Sequence, residues 1–407
     1  MVRVASGAVI VLVLCAGTLV ALEATGKLKS VDAEKGVVVV FANGQDRTLT
    51  ADKNVKVLDE KGKELPDGLK AKELKPDTEV TVTVEFEANK PVLKALRLGK
   101  TGAPAPAATG KTSVGLKPLT EMTAKDKYKG EDGGLYGGGK NEPPEEHLAA
   151  AKKETALIVP RDAKGNPAKD GKIALISISM SNATQEFSAF KKIADADAEK
   201  SPLVTVVDCA QGGQAMAEWA PADARPWTEA ERRLKAAGVT NEQVQVAWIK
   251  LANKGPRGDL ADHGNALQKD TTAVIQNAKA RFPNLRVVYL GSRIYAGYAT
   301  NALNPEPYAY EGAFVARWLI RDQIKGDAAL NYRAGRDAAV KAPLLLWGPY
   351  LWADGTTPRK GDELVYERKD LAGDGTHPSD SGRQKVADQL LKFFKTDPQA
   401  RTWFVKK

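Results

Sequence analysis

In "DGTHPSDSGRQKVADQLLKFF", Asp374 stands three residues before His377, with a proline and an amphipathic helix behind. A turn can bring side chains three apart into hydrogen-bonding reach. The carboxylate then fixes the imidazole tautomer and supports its protonated form, freeing the other ring nitrogen for a nucleophile. An Asp-Gly turn beside an incidental histidine is the plain alternative. A nucleophile is on offer in "SISMSNATQEF", where Ser177, Ser179 and Ser181 alternate with Ile178 and Met180. Ser177 reads as strand. Ser181 falls in a strand-to-helix turn, where a hydroxyl is exposed and helix N–H groups face developing negative charge. Serine or asparagine there is also a good helix N-cap. "VDCAQGGQAMAEW" contains Gly212 and Gly213, which let backbone approach a ligand closely or make a tight turn. "AWIKLANKGP" puts Lys250 and Asn253 near a strand end, where either can donate to an oxyanion or sit at the surface. The three histidines are far apart in sequence, so a histidine-rich zinc site is not expected, and no cofactor is implied.

These stretches need a scaffold, and residues 171–396 provide one. "KIALISI", "PLVTVVD", "VQVAWIK", "LRVVYLG" and "APLLLWG" are short apolar strands. Between them lie helical runs, "ATQEFSAFKKIADAD", "TEAERRLKAAG", "NALQKDTTAVIQNAKARF" and "YAYEGAFVARWLIRDQI". The last helix carries Val386, Leu390, Leu391 and Phe394 on its inner face. Such alternation predicts a parallel sheet covered on both faces, with reactive groups collected at the carboxyl ends of its strands.

Residues 26–99 read differently. Short alternating strands with turns at Asn43-Gly44, Gly62 and Asn89 predict a small all-β barrel of the oligosaccharide-binding or SH3-like kind. A spacer or docking role is the default for it. Residues 100–150 follow as a linker, "KTGAPAPAATGKTS", and a Gly/Pro-rich lead-in that turns helical. The lead-in glycines are not a phosphate loop, because no apolar strand leads into them and no GKS or GKT closes the motif. His147 reads as a surface or packing residue. Residues 151–407 form the α/β domain.

The first residues, "MVRVASGAVIVLVLCAGTLVALEATG", have one arginine before an uncharged apolar stretch and Ala24 as a candidate cleavage site. Residues 1–24 are therefore expected to be an export signal, or an uncleaved membrane anchor, since Val4 to Leu22 is long enough to span a bilayer. Leu14 before Cys15 argues against lipid attachment. After cleavage only Cys209 remains, so no intrachain disulfide forms. The hydrophobic share of 43% and charged share of 27% suit a soluble globular chain with a sizeable core. Net charge is +9, but Lys and Arg are interspersed with Asp and Glu, and no basic run is interleaved with aromatics. No nucleic-acid partner is expected.

Taken jointly, the order of these features resembles the SGNH (GDSL-type) hydrolases over residues 171–396. That order is a serine after the first strand, glycines after the second, a donor after the third and Asp-x-x-His before the last helix. "SMSN" and "CAQGGQAMAEW" resemble the GQSN-type and "GG…W" segments of the sialate O-acetylesterase-like and acetylxylan-esterase branch. The resemblance implies a flavodoxin-like three-layer α/β/α fold and an exported serine esterase. It implies Ser181 as nucleophile, His377 as general base and Asp374 as its orienting partner. The oxyanion hole would use the N–H of Ser181 and of Gly213, or Gly212, with Asn253 or Lys250 adding a side-chain donor. Acetylated small molecules or polysaccharide are the implied substrates, and a degenerate glycan-binding protein is the rival. The chain departs from the family at Met180 and at Ser179, which replaces a glycine. A serine forced to positive φ there costs on the order of 1 kcal/mol.

Overall fold

The computed structural model describes residues 22–42, 45–60, 62–87, 90–99, 110–335 and 339–406. The chain divides into two units, Met1–Pro106 and Ala107–Lys407.

In the first unit, five strands close into a barrel: β1 (Leu22–Asp32), β2 (Val37–Ala42), β3 (Gln45–Leu58), β4 (Glu79–Glu87) and β5 (Lys90–Leu98). Their order is β1-β2-β3-β5-β4, with β1 returning antiparallel to β4 and β3 parallel to β5. Period-two alternation turns Val38 and Val40 of β2, Val80, Val82 and Val84 of β4, and Leu96 and Leu98 of β5 inward. The barrel begins earlier than residue 26: Leu22 to Lys27 already pair with Val84 to Glu79. The first strand thus overlaps the segment read as signal or anchor. The rest of that segment, residues 1–21, and the Asn43-Gly44 and Asn89 turns lie outside the described residues. At the other turn, Gly62 takes φ +82° and its N–H donates to Asp59 O at 3.0 Å.

The second unit is built on β6 (Ile173–Ile178), β7 (Val204–Val207), β8 (Val244–Lys250), β9 (Val287–Gly291) and β10 (Leu344–Trp347). All neighbours pair in parallel, in the order β10-β9-β8-β6-β7. In chain sequence that order is 2-1-3-4-5, so the sheet reverses direction beside β6. Every residue of β6, β8, β9 and β10 is buried, as strands covered on both faces must be. The main helices are α1 (Glu145–Ala156), α2 (Ser181–Ala196), α4 (Arg225–Ala236), α5 (Leu260–Arg281), α6 (Tyr308–Ile324) and α7 (Asp380–Thr396). Two short ones, α3 (Met216–Trp219) and α8 (Arg401–Phe404), complete the set. Helix α2 packs on α7, and α5 on α6. By the right-handed rule for crossovers between parallel strands, this strand order sends α2 to one face of the sheet and α5 and α6 to the other. Among the described residues no helix is long and apolar enough to cross a membrane. Cys209 is buried and in no disulfide.

Two boundaries differ from expectation. Helix α5 starts at Leu260, five residues before Asn265, because Asp259 caps it and accepts the Asp262 N–H at 3.0 Å. More consequentially, the glycine-rich lead-in is part of the α/β unit. Leu119 and Met122 are buried in its core. Asp354 accepts from Ser113 Oγ at 2.5 Å, Val114 N at 2.7 Å and Gly115 N at 3.0 Å. Arg317 of α6 donates to Asp132 O at 2.7 Å and pairs with Glu131. Glycine is required at 133, where a Cβ would lie 2.0 Å from Met122 O. The unit therefore starts near residue 107, not at 151. His147 belongs to this packing: it is buried, with Nε2 at 2.9 Å from Leu345 O.

Candidate active site

Strand β6 ends at Ile178, and the next three residues set the geometry. Met180, with φ −97° and ψ −166°, is the N-cap of α2, and Ser181 is its first helical residue. Ser181 is thus not the cap, and its hydroxyl is free for other work. Its Oγ lies 2.7 Å from His377 Nε2. As at any helix start, the first-turn N–H groups have no acceptor within the helix. Ser179 does not take positive φ, so the strain considered for a serine in that position does not arise. Its Oγ donates to Lys250 O at 2.5 Å, and its carbonyl accepts from Gln211 N at 2.9 Å and Trp219 Nε1 at 3.3 Å. Ser177 stays in the sheet and donates to Asp208 Oδ1 at 2.5 Å.

The loop before α7 is tied at both sides. Asp374 Oδ1 accepts the N–H of Thr376 and of His377, both at 3.0 Å, and Oδ2 lies 2.5 Å from His377 Nδ1. Burial pushes the Asp374 carboxyl up, but the hydrogen bonds from the His377 ring and the two amides outweigh it and hold the pKa below the ordinary value. An ionised carboxylate can only accept, so this contact places a ring proton on Nδ1, the tautomer in which Nε2 is open to accept from Ser181 Oγ. Thr376 O accepts from Asn182 Nδ2 at 2.8 Å, which joins the residue after Ser181 to the residue before His377. Thr300 N donates to Asp374 O at 3.0 Å.

Gly212 and Gly213 form the middle of a turn closed by Gln214 N–H on Gln211 O at 3.2 Å. Gly213 has φ +74°, the left-handed conformation that a type II turn needs at that position. Both glycines are exposed, and among the described backbone hydrogen bonds neither N–H has an acceptor.

The expected side-chain donors do not join them. Lys250 is buried, and its Nζ is held by both oxygens of Glu186 at 2.6 and 2.5 Å, so it is a structural ion pair beneath the site. Burial pushes its pKa down to about 8 against the pull of Glu186. A lysine at a strand end reads as exposed in sequence, and nothing there shows that Glu186 faces inward. Asn253 links α3 to α5: Oδ1 accepts from Ala217 N at 2.9 Å and Nδ2 donates to Asp270 Oδ2 at 2.6 Å. Its described contacts do not include Ser181. Sequence reasoning also passed over Asn182, though it sits inside "SMSN". It passed over Arg293 too, a buried guanidinium whose Nη1 lies 3.7 Å from Met180 Sδ. Arg293 carried no signal beyond its place after β9. Among the described residues no cluster of three or more His, Cys, Asp or Glu side chains is placed to hold a metal ion.

No protein-family model matches the chain, and no curated protein matches it. Solved structures do. The periplasmic domain of a lipopolysaccharide acetyltransferase from Salmonella ser. Paratyphi A is 13% identical, covering 61% of this chain and 96% of that one, with a TM-score of 0.31. Protein YXIM from Bacillus subtilis is 9% identical over 93% of this chain and 78% of that one, with a TM-score of 0.33. Apo-CusF from Escherichia coli is 14% identical over 22% of this chain and 98% of that one, with a TM-score of 0.17. Likenesses of this size carry no functional argument.

Proposed function

We propose that the chain is an exported serine ester hydrolase of the SGNH type, acting on acetyl or similar esters of small molecules or polysaccharide. One observation carries this reading: Ser181 Oγ, His377 and Asp374 form an unbroken hydrogen-bonded relay of 2.7 and 2.5 Å. The relay stands after the first strand of a sheet ordered 2-1-3-4-5, as the flavodoxin-like reading expects, at the strand ends where such sheets bind ligands.

On this reading the chemistry follows from the atoms. His377 Nε2 takes the Ser181 proton as Oγ attacks the ester carbonyl carbon. The carbonyl oxygen gains the negative charge and faces the N–H of Ser181 and of Gly213 or Gly212. Asp374 supports the imidazolium. His377 then returns the proton to the leaving alcohol, and an acyl-Ser181 ester remains. Water, deprotonated by His377, releases the acid and restores the hydroxyl. The residues need no metal or cofactor for any of these steps. Export rests on the apolar stretch after Arg3, and the β-barrel is proposed as a spacer or docking module.

The rival reading had Ser181 capping its helix in a degenerate site. Met180 occupies the cap and Ser179 takes no left-handed φ, which favours the esterase reading over this rival. The test is hydrolysis of 4-nitrophenyl acetate by wild type, Ser181→Ala and His377→Ala. Each variant should lose at least about a thousand-fold in kcat, as triad deletions do. A fluorophosphonate should label wild type at Ser181 and spare Ser181→Ala. Ser181→Ala turning over at the wild-type rate would sink the proposal.

A further inference from the structure

An oxyanion donor works by being aimed before charge develops, and glycine is the residue least able to hold an aim. Packing does not hold the glycine turn: a Cβ built at Gly212 or Gly213 meets nothing within 4 Å. Its ends are fixed by backbone, through Gln211 N–H on Ser179 O and Gln214 N–H on Gln211 O. Among the described residues, the side chain hydrogen-bonded to the pair is Lys254, whose Nζ donates to Gly213 O at 3.1 Å. The same ammonium pairs with Glu218 Oε1 at 2.6 Å, and Glu218 Oε2 accepts the Ala215 N–H at 2.8 Å. Beside this clamp, Ala252 O accepts the Met216 N–H at 3.0 Å and Asn253 Oδ1 accepts the Ala217 N–H. Residues 252–254 therefore grip the 213–218 segment at successive points from the end of β8.

We propose that Lys254 and Glu218 are a positioning pair for the oxyanion hole, an inference that rests on the esterase reading above. The Gly213 carbonyl tethered by Lys254 and the Gln214 N–H that closes the turn are the two polar atoms of one peptide, and holding that peptide at both atoms limits the swing of the Gly212–Gly213 peptide just before it. Its N–H is then held toward the carbonyl oxygen of a bound ester. Stability is not the reason for the pair. The two side chains are 40% and 32% exposed, and ion pairs that open to water contribute little to folding. A purely structural role thus predicts almost no effect of removing Lys254 on anything. A positioning role predicts a loss in rate without a loss in stability or substrate affinity.

The experiment compares wild type, Lys254→Met and Lys254→Arg for kcat and KM on 4-nitrophenyl acetate, for the rate of fluorophosphonate labelling, and for Tm. In Lys254→Met, kcat should fall by about ten-fold or more, a part of the hundred- to thousand-fold carried by a whole oxyanion donor. KM should stay within about two-fold, because the contact matters only as charge develops. Tm should hold within about 2 °C. Labelling should slow in parallel, and Lys254→Arg, which keeps the donor and the charge, should recover most of the rate. A Lys254→Met enzyme with wild-type kcat overturns the inference alone. So does a rate loss that follows a fall in Tm and is not rescued by arginine. A wild type that neither turns over nor is labelled overturns the esterase reading, and this inference with it.

Discussion

The Asp374 carboxylate accepts three of the described hydrogen bonds, and the one from the His377 ring is the one that bears on the proposed reaction. Its two backbone contacts shape the loop, while the ring contact selects the tautomer that leaves Nε2 open to Ser181. Asp374→Asn is expected to keep the loop's amide acceptor but to let the ring turn its proton toward the serine. The measurable outcome is a kcat lower by about a thousand- to ten-thousand-fold with Tm little changed, the pattern of a wrong tautomer. A variant with more than a tenth of wild-type kcat would mean that Asp374 does not orient the base. At this scale the sequence was partly legible. Ser181, Asp374 and His377 could be named because each is a reactive type at a predicted boundary and because their order along the chain resembles that of the SGNH hydrolases. Lys250 was misread for a physical reason: side-chain exposure depends on the facing element, and the facing element here is the inner side of α2, five residues beyond Ser181. Met180 taking the cap was equally invisible, because an apolar residue offers no side-chain oxygen to advertise the position.

Between elements, the joint that matters is the one between α2 and β8. Glu186 on the helix and Lys250 on the strand are both buried and meet face to face. The pair anchors the helix whose first residue is Ser181 onto the central strand. Removing one partner leaves the other charge buried without compensation, so Lys250→Met should lower stability by about 3–5 kcal/mol in urea unfolding. Lys250→Met with Glu186→Met should recover much of that loss, since an apolar pair of similar volume carries no desolvation cost. An unchanged urea midpoint in the single variant would show that the pair does not bear on α2. Strands and helices of the α/β unit were readable from periodicity, and β8 and α6 match the predicted spans residue for residue. The lead-in was not readable. Its glycines and prolines look like a flexible tether by composition. They are ordered because Arg317 and Asp354, 185 and 240 positions from Asp132 and Val114, satisfy its backbone and side chains. Composition reports local entropy, and these are long-range contacts.

At the scale of the molecule, every residue of the proposed relay and oxyanion turn lies in the unit Ala107–Lys407. A chain starting at residue 107 should therefore hydrolyse 4-nitrophenyl acetate with kcat/KM within about two-fold of the full chain, as expected when a domain carries its own core. A collapse of activity would assign the barrel a part in the site. Cutting at residue 151 instead should give insoluble protein, because it strips Leu119 and Met122 from the core. The division into a small β unit and a larger α/β unit was legible in the strand lengths. Its border was not, since it falls where the lead-in stops tethering and starts packing. The relay also has a consequence in time. Ser181 and His377 are 196 positions apart in the chain, and His377 follows the last strand of the sheet. A ribosome that has released the serine has not yet made the proposed base, so on the esterase reading the nascent polypeptide stays chemically silent until nearly all of it exists.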